Sequence, residues 1–244
     1  MTPNGDILAG GNKKFTVCNS KGSVVKTVSL YDGSIISIQW YKGCIYTLCL
    51  EPPPTGSKRV VVVYDESSYT ELRRWFVPNY EFISHFAVTN DKVYVADPDH
   101  HQLCVYSLIG ETADHIAHAV FSSPNHLTIS HPEGIIVTYY RVNNVHSLRN
   151  DGTIRWTSSE VANARGVCCD ASKDVWIWSK SSGFLFLLSH MSGDLKEEIN
   201  HPKFTEINDK DDIIDMCINE NTLRVAARHK GLLRFDIQEN RTNL

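Results

Sequence analysis

The chain has 244 residues, with 24 Lys+Arg against 28 Asp+Glu, a formal net charge of −4 and 42% hydrophobic residues. That balance, with only 14 Gly and 9 Pro, excludes a disordered tail and a fibrous protein. It also argues against a globally basic nucleic-acid binder, while leaving room for a local basic face. No run approaches the roughly 18 apolar residues of a membrane span, and the N-terminus lacks the basic start and apolar stretch of a secretory signal. Seven scattered cysteines, none spaced Cys-x-x-Cys, read as small buried hydrophobes in a reducing cytoplasm.

Helical periodicity is almost absent. Instead a short apolar stretch, a polar turn and an alternating apolar stretch recur. The chain opens midway through one such hairpin at residues 4–9, followed by an apolar run from Phe15 that leads to Gly22 and an outer strand over 24–30. The next hairpin covers 36–50 with Lys42-Gly43 at its turn, then an insertion over 51–58 and an outer strand over 71–77. Further hairpins fall at 84–97, 126–139, 166–178 and 214–227. Val145 and Phe186 each precede a glycine by seven residues, Gly152 and Gly193, as Phe15 precedes Gly22. Such a glycine supplies the positive φ that a tight turn requires. Outer strands are expected over 153–158 and 195–199, and a last third strand over 232–237.

The first apolar residue after each turn is Ile7, Ile45, Val93, Ile135, Val175 or Leu223, at intervals of 38, 48, 42, 40 and 48 residues. A period near 40 with four strands per unit is the signature of a β-propeller. The expected architecture is all-β: one six-bladed β-propeller domain over 1–244, built of four-stranded antiparallel blades at about 1–31, 32–79, 80–121, 122–160, 161–207 and 208–244.

Two units carry a resemblance to a known family. Arg165-Gly166-Val167-Cys168-Cys169-Asp170, followed by Asp174-Val175-Trp176-Ile177-Trp178, Gly183-Phe184-Leu185-Phe186-Leu187 and Gly193, resembles an NHL repeat. The stretch from Phe86 through Val93-Tyr94-Val95-Ala96-Asp97 to Gln102-Leu103-Cys104-Val105-Tyr106 is similar. The family's Asn-x-Arg in the second hairpin is replaced by His101-Gln102 and Ser182-Gly183. The resemblance implies a diverged NHL-type propeller like those at the C-terminus of tripartite-motif proteins, hence a non-catalytic recognition module. Any ligase activity would need domains that this chain does not contain. Trp176 and Trp178 share one face of a strand and are expected to pack between blades.

In that topology the loops between second and third strands share one face with the loops between blades, and loops carry recognition. The candidate face gathers Lys13, Lys14, Tyr31, Lys58, Arg59, Tyr80, Phe82, His100, His101, Tyr139, Tyr140, Arg141, Arg165, Lys180, Arg228, His229 and Lys230. Residues 194–220 hold nine acids against three lysines, a net of −6, which leaves 21 basic and 19 acidic residues, or +2, elsewhere. A protein partner on this face is the first expectation, as the substrate-recognition end of a tripartite-motif-type ubiquitin ligase. Single-stranded RNA is the alternative, since cations suit phosphates and rings suit stacked bases. A third reading is a metal-dependent lyase or hydrolase, for which Asp97-Pro98-Asp99-His100-His101 and Asp212 with Asp215 are the only material. Neither cluster makes a site by itself, so no metal and no cofactor is expected.

Overall fold

The structure, a computed structural model, describes residues 2, 4–51, 58–77, 85–89, 91–130, 134–139, 142–200, 213–219, 222–227 and 231–237. The chain divides into two compact units, residues 1–99 with 103–116, and residues 100–102 with 117–244. In the first unit β1 (Ile7–Cys18), β2 (Val24–Tyr41), β3 (Cys44–Glu51), β4 (Lys58–Asp65) and β5 (Glu71–Val77) form one sheet in chain order. A four-stranded sheet follows, of β6 (Phe86–Val88), β7 (Lys92–Asp97), β8 (Gln102–Ser107) and β9 (Thr112–Ala117).

The second unit holds two more sheets of four, both antiparallel throughout. One is β10 (Pro124–Ser130), β11 (Gly134–Tyr139), β12 (Val145–Arg149) and β13 (Ile154–Ser158). The other is β14 (Ala164–Cys169), β15 (Val175–Ser179), β16 (Leu185–Leu188) and β17 (Leu195–Ile199). Among the described residues the last sheet has three strands, β18 (Ile213–Asn219), β19 (Thr222–Ala227) and β20 (Gly231–Asp236).

Inner strands are apolar on both faces because each face has its own neighbour. In β4, Val61 and Val63 join Phe86, Val88, Val93 and Val95 of the next sheet. Val60 and Val62 point the other way, into a cluster with Phe15, Val17 and Val28. The second unit repeats the scheme. Trp176 and Trp178 of β15 pack with Met216, Leu223 and Val225, whereas Val175 and Ile177 pack with Ile136, Val145 and Trp156. The two tryptophans therefore do sit between sheets, as their spacing implied.

The expected count of six blades is wrong: the described residues form five sheets. The first two expected units are joined by β2, which runs unbroken for 18 residues. Residues 10–14 and Tyr31-Asp32-Gly33, which fall between the strands expected from sequence, lie inside β1 and β2. Ser34 pairs with Asn12 on one edge and with Leu50 on the other. Upstream of it β2 pairs with β1, and downstream with β3. Gly33 makes this continuity possible. Its φ is +102°, and a Cβ there would lie 2.8 Å from the Leu50 carbonyl oxygen. Asp-Gly reads as a turn in sequence, but here the glycine bends a strand without ending it. The β1/β2 hairpin lays Phe15 against the rings of Tyr64 and Tyr69, at centroid distances of 5.4 and 6.2 Å.

The turn before each outer strand is closed by a pair of backbone hydrogen bonds and carries one left-handed residue. These are Gly22, Tyr69, Gly110, Gly152 and Gly193, with φ between 56° and 92°. Three of the turns are gripped by the strand end that precedes their sheet. Trp75 of β5 covers Gly110, and Trp156 of β13 covers Gly193. Trp156 Nε1 also donates to the His190 carbonyl at 2.8 Å. His118, just after β9, donates from Nε2 to the Gly152 carbonyl at 2.8 Å.

Candidate functional site

At one end of the second unit, loops from separate strand pairs are tied together by side chains. The Asn163 N–H, in the β13–β14 loop, donates to Asn143 Oδ1 in the β11–β12 loop at 3.1 Å. Asn163 has φ of 50°, a conformation that Asn tolerates better than most residues. Its own Oδ1 accepts from Arg165 Nε at 3.1 Å, and its carbonyl accepts from the Lys180 N–H at 3.1 Å. Ser179 and Ser181 hydroxyls both donate to the Ala162 carbonyl, at 2.6 and 3.2 Å. In the same unit the Ser123 N–H donates to His101 Nδ1 at 3.0 Å, and both residues have positive φ. Backbone groups that a loop would otherwise lend to water are thus consumed in fixing loop against loop.

The structure separates the candidate residues by environment. His100 and His101 are exposed and Lys180 is half-buried at this loop end. Arg165 lies just below it, only 8% exposed, because the Asn163 amide and the strand β14 hold its guanidinium against the scaffold. In the first unit Lys13, Lys14 and Lys58 are exposed, while Arg59 is buried at 4%. Lys13 and Lys14 stand on the strand β1 rather than in a loop, and Tyr31 belongs to β2. Lys58 lies over the Phe76 ring at 5.2 Å. Tyr80, Phe82, Tyr140, Arg141, Arg228, His229 and Lys230 lie outside the described residues.

Tyr139 is not a stacking platform. It is fully buried, and its hydroxyl meets His146 Nδ1 at 2.8 Å. Phe121 packs on both rings, at 5.7 and 6.1 Å, and His118 stands edge-on to Phe121 at 5.1 Å. Burial, with a further contribution from His118, pushes the His146 imidazole down to about 4, so it is neutral. Burial likewise raises the Tyr139 phenol. A Tyr–His pair sealed from solvent has no path to a substrate, so this cluster is part of the core.

Sequence reasoning missed Asn143, Asn163, Ser123 and Ser179, which hold the loops. The one available signal was Asn163 between two alanines after a strand, a residue suited to the left-handed region. Among the described residues no group of three His, Cys, Asp or Glu side chains is placed to hold a metal ion. Asp97 is buried at 1%, while Asp99, His100 and His101 are exposed.

No family profile matches the chain, and no curated protein matches it in sequence. Solved structures do. A nidogen/laminin complex superposes with a TM-score of 0.74 at 10% identity, over 96% of this chain and 90% of that one. The WD40 propeller domain of Doa1 gives 0.68 at 13% identity, over 94% and 73%. Virginiamycin B lyase from Staphylococcus aureus gives 0.65 at 14%, over 95% and 80%. The fold is a β-propeller. At these identities the likeness speaks for the fold alone, and sequence kinship with the tripartite-motif propellers finds no match.

Proposed function

We propose that this propeller is a non-catalytic, cytoplasmic recognition module that holds a protein partner on the loop end of its second unit. The observation that carries the reading is the lattice of side-chain bonds through Asn163, Asn143, Ser179 and His101. Loops fixed before binding lose little entropy on contact, which is what a recognition surface needs. Arg165, Arg59 and Tyr139 are drawn inward, which weakens the RNA alternative: the cations and rings it called upon are partly spent on the scaffold. The partner-binding propeller of a tripartite-motif-type ligase is the role we assign by resemblance. The cytoplasmic assignment rests on the sequence, whose seven scattered cysteines include no Cys-x-x-Cys pair.

The test is quantitative affinity capture from cytoplasmic extract with the wild-type chain and a His100→Glu/Lys180→Glu variant, each with and without ribonuclease. The reading expects proteins that survive ribonuclease and are depleted on the variant. Identical capture by both chains refutes the surface, and capture abolished by ribonuclease shifts the function to RNA.

A further inference from the structure

Outer strands are where a propeller's sheets end, and proteins guard such edges with charge. β5 carries Glu71, Arg73 and Arg74, β9 carries Asp114 and His115, and β17 carries Lys196, Glu197 and Glu198. β13 carries only Arg155 over its five residues, and residues 24–30 of β2 are likewise thin in charge. They read Val-Val-Lys-Thr-Val-Ser-Leu, β-branched and proline-free, with Lys26 as the one charge. β3 occupies this edge of β2 only from Ser34 onward. Between Val24 and Gly33, β2 is bonded to β1 on its opposite edge, and no other described strand lies beside it. Val24 and Val25 are 65% and 59% exposed, and Lys26, Thr27 and Ser29 are exposed as well.

The charge of this element is equally one-sided. Residues 7–30 contain Lys13, Lys14, Lys21 and Lys26 and not one carboxylate, in a chain whose net charge is −4. All four lysines are exposed. Within residues 7–30 the single aromatic ring, Phe15, is fully buried against Tyr64, so none of these residues can stack a base. An open ladder edge offers amide N–H and carbonyl groups at strand spacing, which an extended polypeptide satisfies and a nucleic acid does not.

We propose that residues 24–30 form a strand-addition site for an extended acidic segment of a partner protein. The incoming strand pairs, through main-chain hydrogen bonds, with the edge of β2 that no described strand occupies. Its β-branched residues cover Val24 and Val25, and its carboxylates meet Lys26 and the neighbouring lysines of the hairpin. The site is independent of the loop end: it uses backbone edge and lysine charge, and none of the loop residues named above.

The probe is a capped peptide of about ten alternating Val and Glu residues, a usual strand length, titrated into the full chain. We expect binding at low salt that weakens as salt rises, together with slowed amide exchange confined to residues 24–30. Lys26→Glu should weaken binding about tenfold, as reversal of one or two cross-strand charge contacts implies. The same peptide N-methylated along its bonding edge should not bind, and this control leaves the protein untouched. The proposal is overturned by equal affinity for the N-methylated peptide, or by exchange protection elsewhere. It is also overturned if the unliganded chain dimerises through residues 24–30, or if a poly-uridine oligonucleotide of equal charge displaces the peptide.

Discussion

Replacing Gly193 by alanine probes two physical effects that the structure allows to be separated. Gly193 has φ of +76°, so any L-residue there is strained by about 1–2 kcal/mol. A Cβ would also lie 2.5 Å from Cε3 and 2.9 Å from Cδ2 of Trp156, whose ring is pinned by its bond to the His190 carbonyl. Overpacking of this kind costs about 1–3 kcal/mol more. Gly22 is the matched control: its φ is +85°, but a Cβ there meets nothing within 4 Å. Gly22→Ala should therefore lose about 1–2 kcal/mol, and Gly193→Ala about 2–5 kcal/mol. Urea titrations followed by tryptophan fluorescence would measure both. Trp156→Leu in the Gly193→Ala background should recover the clash but not the strain. If the two glycine variants prove equally destabilised, or if Trp156→Leu is simply additive with Gly193→Ala, then Trp156 does not grip the turn and the wedge reasoning fails.

Three other outcomes are expected. His146 is neutral in the fold, held at about 4, but titrates near 6.5 when unfolded, so the unfolded state takes up the proton first. Its contribution to stability is complete above about pH 6.5 and is lost as pH falls toward 4; His146→Gln should make the fall of denaturation midpoints across that window shallower, the remainder coming from His85, which burial also holds at about 4. Asn163→Gly keeps the left-handed backbone but removes the acceptor for Arg165, and should cost about 1–3 kcal/mol, while Asn163→Ala should cost about 1 kcal/mol more for the strain it adds. Both are read by thermal melts, and a neutral Asn163→Ala would dissolve the claim that this residue organises the loops. Phe15→Ala empties the contact between the hairpin and Tyr64, and should cost about 3–5 kcal/mol in the same assay.

Much of the fold was legible because alternation and turn chemistry act over few residues. The expected outer strands at 71–77 and 195–199 coincide with β5 and β17, since each is bounded by its own turn. The same local signals misled at Asp32-Gly33, where a turn dipeptide lies in a strand. Whether a chain reverses there depends on Leu50 and Ser34, which pair from the other side of a hairpin. The candidate site was less legible for a similar reason. Arg165, Arg59 and Tyr139 occupy loop-proximal positions, but their exposure is decided by partners such as His146 and Asn163. The Asn143–Asn163 bond spans 20 residues and leaves no periodic trace.

The blade count of this protein turns on a single backbone hinge. Five turns of the same design recur from Gly22 to Gly193, so the sequence repeat persists through the hairpin even where the sheets do not follow it. By passing one strand through Gly33 without a break, the chain fuses neighbouring repeats into one ladder. A repeat protein can thus change its number of sheets with no gain or loss of a repeat. The turns keep the period of the repeat, while the continuity of the backbone at Gly33 decides how many sheets that period is divided into.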